Sequence, residues 1–195
     1  MEEKTWLERK KQFYKRMLED REIGYLDPGI ETLLERFFEK EGLYTTSSCI
    51  GRITIVEGIY PWDREEARVV FKKHGEIKGD IILKQVEIPG YENLWLRVTG
   101  PILHVVAKDR AWANWIIDLA RKAGFKHSCI FSLGRDIVVE IMSSIQISIP
   151  LKIGGVLLIP YSHYDSLADL ANKLWRKGVE SARILEKLLE ETPDP

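Results

Sequence analysis

The spacing of apolar residues changes from a period of 3.6 to one of 2 after Tyr44, and a long stretch of period 3.6 returns near Tyr164. Helices must therefore bracket a central set of strands. Residues 5–20 place Trp6, Phe13 and Met17 on one helical face. A second helix is expected from Asp27-Pro28, with Asp27 as N-cap and Pro28 at the first helical position, burying Ile30, Leu33, Leu34, Phe37 and Phe38. Gly42 is expected to close it in a left-handed conformation. A third helix runs from Asp109, its N-cap, to Ala123, with Gly124 just past its end and Trp112, Trp115, Ile116 and Leu119 as its apolar stripe. The last runs from about Tyr164 to Leu189, with Leu167, Leu170, Leu174 and Leu185 inward.

Between them, Ser48–Glu57, Arg68–Lys73, Leu94–Val98 and Ile102–Lys108 read as strands, with a short helix from Asp63 as the alternative around Val69-Val70-Phe71, where the β-branched residues favour strand. A hairpin follows, Phe125–Leu133 and Asp136–Met142 about a turn at Gly134-Arg135, then a strand over Ile145–Leu151. No repeat or linker divides residues 1–195, so a single α+β domain is expected, with a mixed sheet and the terminal helices packed on it. The stretch from Ile102 to Leu133 reads as one parallel strand–helix–strand crossover.

Composition narrows the setting. Apolar residues make up 45% and charged residues 30% of 195, with a formal net charge of −1. That profile fits a globular protein without a global positive field, so any acidic partner must meet a local basic patch. The apolar runs are too short for a bilayer span and no leader opens the chain, so a cytoplasmic location without membrane contact is expected. Cys49 and Cys129 stand 80 residues apart in sequence, which implies a reducing compartment and no zinc pattern.

The stretch YTTSSCIGRI, Tyr44 to Ile53, concentrates polarity where a structural strand needs little. Read as one strand, it puts Ser48, Ile50, Arg52 and Thr54 on one face and Cys49, Gly51, Ile53 and Ile55 on the other, the core side. Either this is an exposed sheet face bulged at Gly51, or Ser48 and Arg52 recognise an anion or a polar ring. Cys49 as a nucleophile, with His74, His104 or His127 as base, has no support in the spacing over an inert thiol. His104 in an apolar strand reads as a satisfied core residue, and His74 beside Lys72 and Lys73 as solvated surface. Lys126 and Ser128 share a face where a strand opens after a helix, a common place for site residues. No glycine-rich nucleotide loop, HExxH or GxSxG motif occurs.

Taken together, YTTSSCIGRI, Pro101-Ile102-Leu103-His104-Val105, Gly124-Phe125-Lys126-His127-Ser128 and Ile147-Ser148-Ile149-Pro150-Leu151 resemble the wybutosine-synthesising protein 3 family. The first motif has Ile50 where the family has a small residue, and the later G-F-R-x-S-G motif has Lys126 for arginine and Cys129 for glycine. His74 and Ala171-Asn172 also match, and the resemblance covers roughly residues 43 to 190. It implies a metal-free methyltransferase, not doubly wound, that uses S-adenosylmethionine to methylate N4 of the tricyclic guanosine 3′ of the anticodon, position 37, of phenylalanine tRNA. The partner implied is the anticodon loop, with no obligate protein partner. The site residues implied are Ser48, Arg52, His74, His104, Lys126 and Ser128, with Arg52, Lys126 and Arg97 available for phosphate or carboxylate groups and the proton acceptor unassigned. A non-catalytic RNA-binding module is the alternative.

Overall fold

The structure, a computed structural model, describes residues 3–63 and 65–195. In chain order its elements are α1 (Glu3–Glu22), α2 (Glu31–Glu39), β1 (Leu43–Cys49), β2 (Arg52–Glu57), β3 (Arg68–Lys73), α3 (Gly79–Val86), β4 (Leu94–Thr99) and β5 (Ile102–Ala107). They continue with α4 (Arg110–Lys122), β6 (Cys129–Leu133), β7 (Ile137–Met142), β8 (Gln146–Ile153), β9 (Val156–Leu157) and α5 (Tyr164–Glu191). Among the described residues no helix is long and apolar enough to cross a membrane.

The α+β class holds, and the sheet is not doubly wound. The strands form two antiparallel sheets, however, where one mixed sheet was expected. One compact unit comprises the residues up to Ile50, Pro101–Ser144 and Val179–Pro195; the other comprises Gly51–Gly100 and Ile145–Gly178. The first contains the sheet β1-β5-β7-β6 and the second β3-β2-β4-β8-β9. In the first, β5 and β6 both run antiparallel to β7, which lies between them. They therefore point the same way, and α4 is the crossover anticipated between Ile102 and Leu133.

Each sheet has its own core. In the first unit α2, α4 and the end of α5 bury Leu33, Leu34, Phe37, Ile116 and Leu185 with Leu103, Val105, Val139 and Ile141. In the second, Ile53, Ile55, Leu96 and Val98 pack with Ile82 of α3 and Leu167, Ala168 and Ala171 of α5. Leu170, expected to face inward, is 46% exposed.

Several local expectations change for identifiable reasons. The strand expected over Ser48–Glu57 is two strands in different sheets, parted at Ile50-Gly51. Gly51 has φ 93°, and a Cβ there would lie 2.5 Å from the Thr99 carbonyl oxygen. Asp27 does not cap α2, which starts at Glu31; its Oδ2 accepts from the Ile50 amide at 2.8 Å. Gly42 is not left-handed: it is small because a Cβ would sit 2.2 Å from the Trp112 ring. Residues 125–128 form a turn before β6 rather than its first residues, because Phe125 O accepts from both the Ser128 amide and its hydroxyl. Helix α3 was not anticipated. Its Gly79 is closely covered by Tyr164 and Asp165, a contact no local pattern signals.

One buried polar contact carries a stability prediction. Asn172, 6% exposed, accepts from Ile77 N–H at 2.9 Å and donates to Ile77 C=O at 2.8 Å. Asn172→Leu keeps the shape and leaves both backbone groups buried without a partner. At about 1–3 kcal/mol each, the loss is roughly 2–6 kcal/mol. Urea unfolding of the two proteins measures it, and an unchanged midpoint would contradict this role for the carboxamide.

Candidate functional site

The polar run at Tyr44 gains its meaning from one inserted residue. β1 pairs with β5 as Tyr44↔Val106 and Thr45↔Val105, after which the register slips between Thr45 and Ser47, so Ser47 stands opposite His104. A one-residue slip exchanges faces. Ser47, not Ser48, thereby joins His104 on the face turned away from the Leu103 and Val105 core. Its Oγ lies 2.9 Å from His104 Nδ1, and His104 Nε2 lies 3.1 Å from Oε1 of Glu140, the cross-strand neighbour on β7. An ionised carboxylate only accepts, so Nε2 carries the hydrogen. In the neutral ring Nδ1 then offers a lone pair, to which the Ser47 hydroxyl donates.

Part of this sheet face is covered. Trp6 and Phe13 of α1 pack on Tyr44 at centroid distances of 5.0 and 5.2 Å, and Arg9 pins α1 to Asp136 in the β6–β7 turn with an Nη1–Oδ1 distance of 2.6 Å. The face remains open at His104, whose side chain is 33% exposed. There the Phe131 ring stacks on the imidazole at 5.4 Å, with an interplanar angle of 26°, and is itself 63% exposed. An aromatic held flat beside a half-buried imidazole offers a ready face to a planar ligand.

Beside this row lies a cavity of about 290 Å³ between α1, the residues around Asp27 and β1. Phe13, Met17, Leu26 and Leu34 make its apolar wall; Arg16, Asp20, Asp27 and Thr45 to Ser48 make its polar one, with Arg16 Nε 3.9 Å from Asp20 Oδ2. Among the described residues β1 is an edge strand, paired on one side only, with β5. Ser47 belongs both to the cavity and to the His104 row. A larger hollow of about 550 Å³ between α1 and α2, walled by Leu7, Tyr14 and Phe38 with lysines and glutamates, contains none of the candidate site residues named from the sequence.

The second unit presents a different surface. Lys72, Thr54, Arg97 and Ser148 form one row across β3, β2, β4 and β8, with Arg52 two residues along β2 from Thr54. Arg97 donates from Nε to Ser148 Oγ at 3.2 Å and from Nη1 to Pro61 O at 2.7 Å. Burial, and then the charge of Arg52, lower its pKa below the ordinary guanidinium value. Among the described residues no carboxylate pairs with Arg52, Lys72 or Arg97. Like charges left together without a counter-ion mark a surface suited to an anion.

Of the residues singled out from the sequence, Ser48 lines the cavity and His104 is the centre of the polar row. Lys126 is exposed in the turn before β6. Ser128 is 1% exposed and its hydroxyl is committed to Phe125 O, so it stabilises that turn and does not reach the cavity wall. Arg52 lies on the cationic face of the second unit, and His74 is half-buried one residue past β3 in the same unit. Sequence reasoning missed Ser47, Glu140 and Phe131. The first was hidden by the bulge and the other two by pairings between distant strands.

The family model described as Methyltransferase TYW3 matches residues 8–191. A protein of Aeropyrum pernix is 41% identical over 180 residues, covering 89% of this chain and 95% of its own length. One of Saccharolobus solfataricus is 33% identical over 187 residues, covering 95% and 90%. Both are named tRNA(Phe) 7-((3-amino-3-carboxypropyl)-4-demethylwyosine(37)-N(4))-methyltransferase. A solved structure from Pyrococcus horikoshii superimposes with a TM-score of 0.87 at 28% identity, covering 96% of this chain and 97% of that one. Another, a hypothetical protein from Aeropyrum pernix, gives 0.78 at 35% identity, covering 85% and 98%.

Proposed function

The chain belongs to the TYW3 methyltransferase family, and from that premise we propose that it methylates N4 of the wyosine-type guanosine at position 37 of tRNA(Phe), with S-adenosylmethionine as donor. The observation that carries the reading is the Ser47–His104–Glu140 row beside the β1 cavity.

The cavity walls fit the donor's chemistry. Its volume of about 290 Å³ lies at the small end of ligand pockets, which run from about 300 to 1,000 Å³. Carboxylates of Asp20 and Asp27 suit a ribose diol and a cationic centre, the Thr46 and Ser48 hydroxyls suit polar edges, and Phe13, Met17 and Leu26 exclude water. When bound, S-adenosylmethionine supplies an electrophilic methyl group to the acceptor nitrogen.

The chain's own residues hold and deprotonate the base. Phe131 offers one face of the tricyclic ring a stacking surface, as unpaired RNA bases require. His104 Nδ1 accepts the N4 proton, through the Ser47 hydroxyl that already donates to it. Glu140 fixes the imidazole and stabilises its positive form. The Arg52, Lys72 and Arg97 face binds anticodon-loop phosphates.

Calorimetric titration of S-adenosylmethionine tests the donor assignment. Binding of one equivalent is expected, weakened about tenfold or more in Asp20→Asn, since a hydrogen bond to a charged group contributes about 1.5–3 kcal/mol. No heat of binding overturns the donor, and unchanged affinity in Asp20→Asn removes the donor from this cavity.

A further inference from the structure

The loop after β2 exposes two aromatic side chains that the reaction above does not use. Tyr60 is 54% and Trp62 67% exposed, yet their rings stack at a centroid distance of 5.5 Å with 27° between planes. The loop beneath them is pinned. Pro61, between the two, has its carbonyl held by Arg97 Nη1 at 2.7 Å, and Trp95 Nε1 donates to Gly58 O at 3.0 Å. Asp63 closes the far side, its amide bonded to Tyr60 O and its Oδ1 accepting from the amides of Glu65 and Glu66. Two aromatics kept in water on a fixed loop are costly unless something covers them.

The neighbouring charges say what covers them. The guanidinium that holds Pro61 belongs to the row of Arg52, Lys72 and Arg97, in which no cation has a carboxylate partner among the described residues. An aromatic platform beside unneutralised cations is the combination that single-stranded nucleic acid requires, bases on the rings and phosphates on the cations. We propose that the Tyr60–Trp62 stack is a docking platform for an unpaired RNA base, with Arg52, Lys72 and Arg97 holding the adjoining phosphates. The platform deepens the tRNA methyltransferase reading and rests on it. It gives the second unit the task of recognising a loop, apart from the row that handles the proton.

The test measures binding of two labelled RNAs by fluorescence anisotropy: a hairpin with an unpaired loop and a blunt duplex of equal length. The wild-type protein is expected to prefer the hairpin. Trp62→Ala and Tyr60→Ala should each weaken hairpin binding about tenfold, within the range for one stacked base, while leaving the salt dependence intact. Arg52→Ala should instead lower the magnitude of the salt slope by about 0.7. Hairpin affinity unchanged in both aromatic variants overturns the platform, as does equal binding of duplex and hairpin by the wild type. A shift in oligomeric state of either variant in sedimentation would assign the stack to a protein contact and also overturn it. The expected pattern in a protein that transfers no methyl group upholds the platform and overturns the methyltransferase reading.

Discussion

His104→Ala is expected to slow methyl transfer by two to three orders of magnitude, within the roughly 10²–10⁴-fold that a positioned general base contributes. Of the two ring nitrogens, Nε2 is occupied by Glu140 at 3.1 Å and Nδ1 points to Ser47 at 2.9 Å, so the proton has one defined route. Glu140→Gln keeps the length and loses the charge; the ring remains but its cationic form is less stabilised, and about a tenfold loss is expected, equivalent to roughly 1.4 kcal/mol at the transition state. Single-turnover rates at saturating donor and tRNA, beside thermal melts of each variant, separate chemistry from folding. His104→Gln serves as a second variant, since it retains hydrogen bonding without a basic nitrogen. If both His104 variants melt normally and keep full single-turnover rates, the proton leaves by another path.

A large effect on stability is also expected at Gly51. Its φ of 93° is one that L side chains adopt at a cost of about 1–2 kcal/mol. A methyl group there would also meet the Thr99 oxygen at 2.5 Å and the Gly100 carbonyl carbon at 2.9 Å, backbone atoms of a paired strand end that have little room to yield. Overpacking of that kind typically costs a further ~1–3 kcal/mol. Trp175 Nε1 donates to Gly51 O at 3.2 Å, so movement of the segment would strain that bond too. Gly51→Ala should therefore lose roughly 2–5 kcal/mol, a melting temperature lower by about 10 °C in a chain of this size. Gly90→Ala is the internal control. Gly90 has φ 88° and nothing within 4 Å of its notional Cβ, so it carries the backbone cost without the collision. Equal losses in the two variants would show that the close approach at Gly51 is relieved at no expense.

What could be read in advance follows from how local each cause is. Helix α4 was legible end to end, because Asp109 caps it through Trp112 N–H and Gly124 ends it at φ 101°, both within a turn of the helix. The buried faces of α1 and α2 were legible for the same reason. Ser48 and Arg52 were placed on one face because alternation assumes an unbroken strand. The bulge at Thr45–Ser47 and the break at Gly51 each defeat that assumption with one residue. The separation into two sheets was not legible, since period 2 reports which way a side chain points and not which strand lies beside it. Glu140 is 36 residues from His104, and Ser47 is 57 from it, so the polar row exists only through pairing.

Methyl transfer to N4 of the tricyclic base is open to direct observation. The direct measurement is incubation of the purified protein with methyl-labelled S-adenosylmethionine and tRNA(Phe) carrying the N4-demethylated wyosine derivative, followed by nucleoside mass spectrometry. One labelled methyl group is expected on the tricyclic base at position 37, none on tRNA lacking that base, and little on the substrate with His104→Ala. Label that fails to enter the tricyclic base, or that enters unmodified tRNA equally well, would contradict it.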